Sequence, residues 1–172
     1  MLAAVGATAA ALAGCLDDEG DEPAPDPVDL AGLDCDVCGM LIGEHHGPAG
    51  QAFFDDSPAD RNGPARFDSV TELIAYVDEQ TVVGEEVRAI YVTDYSKVDY
   101  EVTEIDGGKY ISSHVDANGF ADATTLEYVT GSEVEGAMGA DHLPFSDSDD
   151  AVEFAAVHGG EIVEWDDLDV PG

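Results

Sequence analysis

The chain has 172 residues, with 39 acidic side chains against 5 basic ones and a formal charge of −34. That balance excludes nucleic-acid binding through phosphate neutralisation and docking on an anionic membrane through a basic patch, both of which need Lys and Arg in numbers. With 44% apolar residues it is still no polyelectrolyte tail, and a chain near this length buries roughly 70% of its unfolded surface in a core without disulfides.

Residues 1–14 (MLAAVGATAAALAG) are uncharged and almost wholly apolar. The run is too short to span a bilayer as a helix and reads as the apolar core of a signal peptide, although the usual basic n-region is missing. Leu12-Ala13-Gly14-Cys15 then has the form of a bacterial lipobox. It predicts cleavage before Cys15, lipidation of its thiol, and a protein held on the outer side of the cytoplasmic membrane. The alternative for this segment is a buried apolar N-terminal helix. Residues 17–29 (DDEGDEPAPDPVD) are acid and proline without hydrophobic periodicity, the composition of an extended, disordered tether. The expected organisation is a signal peptide over 1–14 and a lipidated tether over 15–32. Two folded halves follow, over 33–110 and 111–172.

Short apolar runs mark strands at 51–54 and 66–67, with a Gly63-Pro64 turn between them. Ser69 and Glu72 have capping-box spacing, and Val70, Leu73, Ile74 and Val77 recur at helical spacing, so residues 69–78 form an amphipathic helix. Residues 87–93 (VRAIYVT) are a strand, and 99–103 an edge strand. The plan then repeats: a strand at 126–130, a helix at 148–158 burying Val152, Ala155 and Ala156 with Phe154 at its margin, a Gly159-Gly160 cap, and a strand at 161–165. The fold class is α+β, two similar β-β-α-β units related as a pseudo-duplication. In that alignment Ala137-Met138-Gly139 falls near the place of Cys38-Gly39-Met40.

Cys35-Asp36-Val37-Cys38-Gly39-Met40 holds both cysteines that remain after lipidation. A structural zinc half-site would need a second ligand pair; no second Cys pair exists, although histidines could complete the set. A redox pair, the basis of a rival reading as an extracytoplasmic thiol–disulfide oxidoreductase, needs surroundings that lower a thiol pKa. Here Asp34, Asp36 and Glu44 are expected to crowd the pair and oppose the thiolate. Soft-metal binding is favoured, because thiolate plus thioether is the donor set that selects Cu(I). Cys38 and Met40 are two apart, so an extended segment turns both to one face, and Gly39 lets the backbone bend until both sulfurs reach one ion. Cys35 is a spare ligand, a disulfide partner or a bystander. His45 and His46 follow closely enough to close over the site. His158 suits a helix C-terminus, and His142 and His114 are expected to be solvated in polar loops. The acid clusters at 147–150 and 166–167 lack calcium-loop spacing, and no phosphate loop or nucleophile elbow is present. A binding protein, not an enzyme, is expected.

The ordered set Cys35-Asp36-Val37-Cys38-Gly39-Met40-Leu41-Ile42, residues 46–51 (HGPAGQ), Phe67-Asp68-Ser69, residues 91–95 (YVTDY), Gly136-Ala137-Met138-Gly139, Leu143-Pro144-Phe145 and residues 154–160 (FAAVHGG) resembles the NosL family, lipoproteins that carry copper for nitrous oxide reductase maturation. The resemblance implies a monomeric Cu(I)-binding chaperone of two β-β-α-β-like halves. It implies docking to a NosDFY-type ABC transporter complex and delivery toward the apo-reductase. It maps the copper ligands onto Cys38 and Met40, with Met138 as a third. The near absence of basic residues means that any partner contact made by Lys or Arg in relatives is made differently here.

Acid spread along the whole chain also predicts a halophilic protein, because salt screens the self-repulsion of such a surface. Thermal melts followed by circular dichroism should show the melting temperature rising from low to molar salt. A flat melting temperature contradicts that reading.

Overall fold

Period-2 apolar runs and the helical stripe fix most of the elements. A computed structural model describes residues 23–55 and 63–168. The signal peptide, the lipobox and Cys15 lie outside the described residues. The first unit comprises β1 (Gly50–Phe54), β2 (Ala65–Phe67), α1 (Val70–Val83) and β3 (Val87–Thr93). Next come β4 (Val102–Ile105), β5 (Gly108–Ile111) and β6 (Phe120–Asp122). The second unit comprises β7 (Glu127–Thr130), β10 (Leu143–Phe145), α2 (Ser148–His158) and β11 (Glu161–Glu164), with a hairpin of β8 (Val134–Gly136) and β9 (Gly139–Ala140) inserted after β7.

The class is α+β, and the two units have the same internal order. In the first sheet β1 lies between β2 and β3, and β6 extends the far edge. In the second, β7 lies between β10 and β11. All pairings in these two sheets are antiparallel. A third sheet, in the order β4-β5-β8-β9, joins the strands that follow the first unit to the hairpin inserted in the second and pairs β5 with β8 in parallel. A division at residue 110 therefore falls inside β5, and β6 belongs to the first sheet. The expected edge strand is β4, displaced a few residues toward the C-terminus.

Ser69 caps α1 with its hydroxyl oxygen, which accepts the Glu72 N–H at 3.3 Å. Val70, Leu73, Ile74 and Val77 are buried against the first sheet, as their spacing requires. The helix runs past residue 78 to Val83 and stops at Gly84, whose φ of 98° is open to glycine at little cost. In α2 the expected buried face is corrected. Ala151 and Phe154 are buried and Ala155 half-buried, while Val152, Ala156 and Val157 are exposed. Apolar residues stand at nearly every position from 151 to 157, so spacing alone leaves the face open, and the largest side chain, Phe154, takes the core.

The tether is also corrected. From Pro23 the chain lies along the first sheet: Arg88 Nη2 donates to the Pro23 carbonyl at 3.2 Å and the Tyr91 hydroxyl to the Pro25 carbonyl at 2.9 Å. The fully buried Gln51 amide accepts the Val28 N–H at 2.9 Å and donates to the Val28 carbonyl at 3.0 Å. Leu30 is then fully buried in the first core cluster. A side-chain amide supplies the backbone partners that a strand neighbour would, so the segment is ordered without hydrophobic periodicity.

Candidate metal centre

Residues 34–41 fold back on themselves. The Cys35 N–H donates to the Met40 carbonyl at 2.8 Å, the Gly39 N–H to the Cys35 carbonyl at 3.0 Å, and Asp34 bridges Leu41. Gly39, with φ 74°, makes the bend. This loop is stitched to β2: the Asp36 N–H donates to the Arg66 carbonyl at 2.9 Å, and the Asp36 carboxylate accepts the Arg66 N–H at 2.8 Å. Arg66 Nε also donates to the Asp34 carbonyl at 3.1 Å. One residue beyond β2 the chain reaches Asp68 and the start of α1. The cysteine loop is therefore pressed against a helix N-terminus.

That contact makes the site. Cys35 Sγ donates to Glu72 Oε2 at 3.3 Å, and Cys38 Sγ to Asp68 Oδ2 at 3.3 Å. One donor atom from each of Cys35, Cys38, Asp68 and Glu72 lies within 4.8 Å of the others. Cys35 and Asp68 are 3% and 2% exposed, whereas Cys38 and Glu72 are half-buried, so the cluster opens toward solvent on the Cys38 side. Both thiols are free. Burial pushes Cys35 up to about 12 against the pull of the Cys38, Asp68 and Val37 backbone N–H groups. Burial also raises Cys38, helped by the negative charge of Asp68. Glu72 is raised by burial first and by the neighbouring charges of Asp68 and Asp141 second.

The other expected site residues are placed as follows. Met40 is half-buried on the returning arm of the loop. Met138 is 54% exposed between β8 and β9. His45 follows the short helical turn Ile42–Glu44. The His46 ring lies 5.2 Å from that of Tyr110, and His46 bridges Ser112. Among the described residues neither histidine joins the four-residue cluster. His142 is 5% exposed with Nδ1 3.2 Å from Thr130 Oγ1, and His114 is half-buried with Nε2 3.1 Å from Ser112 Oγ, so the expectation that both are solvated is corrected. His158 stands in the last turn of α2 as expected, its ring 4.7 Å from Phe154 and its Nδ1 3.6 Å from a Glu133 carboxylate oxygen.

The acids that face the thiols are Asp68 and Glu72, not the chain neighbours Asp34, Asp36 and Glu44; the Asp36 carboxylate is turned to the Arg66 backbone. Both were legible only in part. Asp68 directly precedes the Ser69 cap and Glu72 lies four residues later, a spacing that puts the two on one side of the first turn. Glu72 read as the reciprocal member of a capping box, but its carboxylate goes to Cys35. Chemically the set offers two soft sulfurs beside hard carboxylate oxygens. It fits a metal better than disulfide exchange, because a reactive thiol needs its pKa lowered and both are raised.

The sequence profile of the NosL family matches residues 29–170. The chain belongs to the NosL family. It is 30% identical to the copper-binding lipoprotein NosL of Stutzerimonas stutzeri over 161 residues, 92% of this chain and 74% of that one. The same identity holds with the copper-binding lipoprotein NosL of Achromobacter cycloclastes over 165 residues, 95% and 77% of the two chains. The crystal structure of the copper chaperone NosL from Shewanella denitrificans superposes with a TM-score of 0.65 at 27% identity, covering 85% of this chain and 96% of that one. The NosL fold is thus shared along most of the described length.

In the metal-free protein iodoacetamide should modify Cys38 before Cys35, slowly at pH 7 and faster above pH ~8.5, where an ordinary thiol ionises. The raised Cys35 pKa has a matching sign in stability: it stabilises the fold below the unfolded thiol pKa, and that contribution is lost as pH climbs toward about 12. Fast, equal labelling of both thiols at neutral pH contradicts this arrangement.

Proposed function

We propose that this chain is a Cu(I)-binding metallochaperone, lipid-anchored through Cys15 on the outer face of the cytoplasmic membrane, which delivers copper for nitrous oxide reductase maturation. The observation that carries the reading is the convergence of two cysteine sulfurs on a glycine-bent loop that is half-open at Cys38 and followed at once by Met40, in a chain whose relatives are named copper-binding lipoproteins.

A d¹⁰ ion accepts two or three soft ligands without a closed shell, and thiolate plus thioether selects it over harder ions. The Cys38 thiolate and the Met40 thioether are the two ligands. Met138, exposed at the tip of the β8–β9 hairpin, closes the site as the third. His45 and His46 are weaker alternatives, the His46 ring lying tilted against Tyr110. Copper displaces the thiol proton, which is how a thiolate exists among acidic neighbours. Cys35 is more deeply buried and bonded to Glu72, a reserve donor behind the two principal ones. Copper here is cargo: an open, low-coordinate site releases it to the next protein. A NosDFY-type transporter complex and the apo-reductase are the partners that the NosL resemblance implies, and the carrier acts as a monomer without catalysis.

Titration of the reduced soluble domain with Cu(I) against a competing chelator should give tight binding at one equivalent. Cys38→Ser and Met40→Leu should each weaken it by more than the ~10–100-fold that loss of an outer-shell partner costs, and Cys35→Ser by less. Catalytic turnover of a model disulfide that survives Met40→Leu would point to the oxidoreductase instead, and equal losses from the two cysteine variants would contradict the ligand ranking.

A further inference from the structure

Asp141 follows the β8–β9 hairpin and is 5% exposed. Its carboxylate reaches across to the first turn of α1. Oδ1 accepts the Thr71 N–H at 3.0 Å and the Thr71 hydroxyl at 3.1 Å, and Oδ2 accepts the Val70 N–H at 3.3 Å. Oδ1 also accepts the His142 N–H at 2.9 Å. The helix already has its own cap in Ser69. Asp141 adds a second one, brought from another part of the chain, to the turn flanked by Asp68 and Glu72.

The hairpin has no slack. Glu135 pairs with Ala140 and Gly136 with Gly139, which leaves Ala137 and Met138 as its two turn residues. Its turn-closing pair is packed closely at Gly136. A methyl group at Gly136 would lie 3.0 Å from Asp141 Oδ2, and one at Gly47, the residue after His46, would lie 2.6 Å from the Gly136 Cα. Where Met138 stands is thus set by the Gly136–Gly139 pair beside it, and Asp141, which packs on Gly136, ties that pair to α1. A buried carboxylate at this point needs every one of its hydrogen bonds.

We propose that Asp141 is a positioning residue of the metal centre, clamping the hairpin that carries Met138 onto the helix turn that presents Asp68 and Glu72 to the cysteines. The inference rests on the reading of Met138 as a copper ligand. It is tested by a double-mutant cycle on Cu(I) affinity between Asp141→Asn and Met138→Leu. Asp94→Asn is the control: Asp94 is also buried, binds the Ser96 and Ser146 N–H groups and pairs with Lys97 at 3.4 Å, joining β10 to the first unit without bonding any residue of the cysteine cluster or α1.

Asp141→Asn should lower Cu(I) affinity about tenfold, the scale of an outer-shell partner, and Met138→Leu should cost less in that background than in the wild type. The Met138 methyl resonance should shift on Cu(I) addition in the wild type and stay in place in Asp141→Asn. Asp94→Asn should lower the melting temperature while leaving affinity unchanged. If Asp141→Asn does not fold, Thr71→Val removes one arm of the clamp, and the same non-additivity is expected. Additive effects of Asp141→Asn and Met138→Leu, or an affinity loss no larger than that of Asp94→Asn, would overturn the clamp. A wild-type domain that takes up no Cu(I) overturns the chaperone reading instead.

Discussion

The Asp36 N–H donates to the Arg66 carbonyl, the Asp36 carboxylate accepts the Arg66 N–H, and Arg66 Nε adds a third bond to the Asp34 carbonyl. Those contacts decide where the metal centre stands. They hold a loop with no regular structure of its own against the end of β2, two residues before a helix begins. Without them Cys35 and Cys38 would be a flexible pair of thiols. With them the pair faces Asp68 and Glu72 at hydrogen-bond distance. The rest of the fold serves that juxtaposition: the first sheet and α1 share one core cluster that includes Leu30, Cys35 and Ile42.

The electrostatics of the cluster oppose the thiolate and favour a cation. Burial and the Asp68 charge raise the Cys38 thiol, which lowers its thiolate fraction and with it the nucleophilicity that disulfide exchange needs. A positive ion reverses the balance, because the same carboxylates that disfavour a thiolate attract the metal. Carrier and oxidoreductase thus ask opposite things of one pair of cysteines, and the acidic surroundings suit the carrier. The graded burial also matters. A sealed site would bind but not deliver, and a fully exposed one would leave its thiols open to oxidation.

The face of α1 was legible in the sequence because its apolar residues stand only at helical spacing. That of α2 was not, because Val and Ala fill both sides and only packing singles out Phe154. β5, β8 and β9 escaped notice because strands of two to four residues carry too little alternation, and their pairing is made across the chain. The tether was misread for a similar reason: its partner is the Gln51 amide, 23 residues away. At the site, the two cysteines of the Cys-x-x-Cys run were legible as candidate ligands, and the structure gathers both into one cluster. Asp68 and Glu72 were legible only as the start of a helix, because only the fold brings a helix cap to a cysteine loop, and a capping motif has a sufficient local explanation.

X-ray absorption at the copper edge of the Cu(I)-loaded, reduced domain reads the atoms bound to the ion. With Cys38 and Met40 as ligands it should show a shell of two or three sulfur scatterers that loses one sulfur in Met40→Leu. A shell of nitrogen and oxygen alone, or one unchanged in that variant, would contradict that ligand pair.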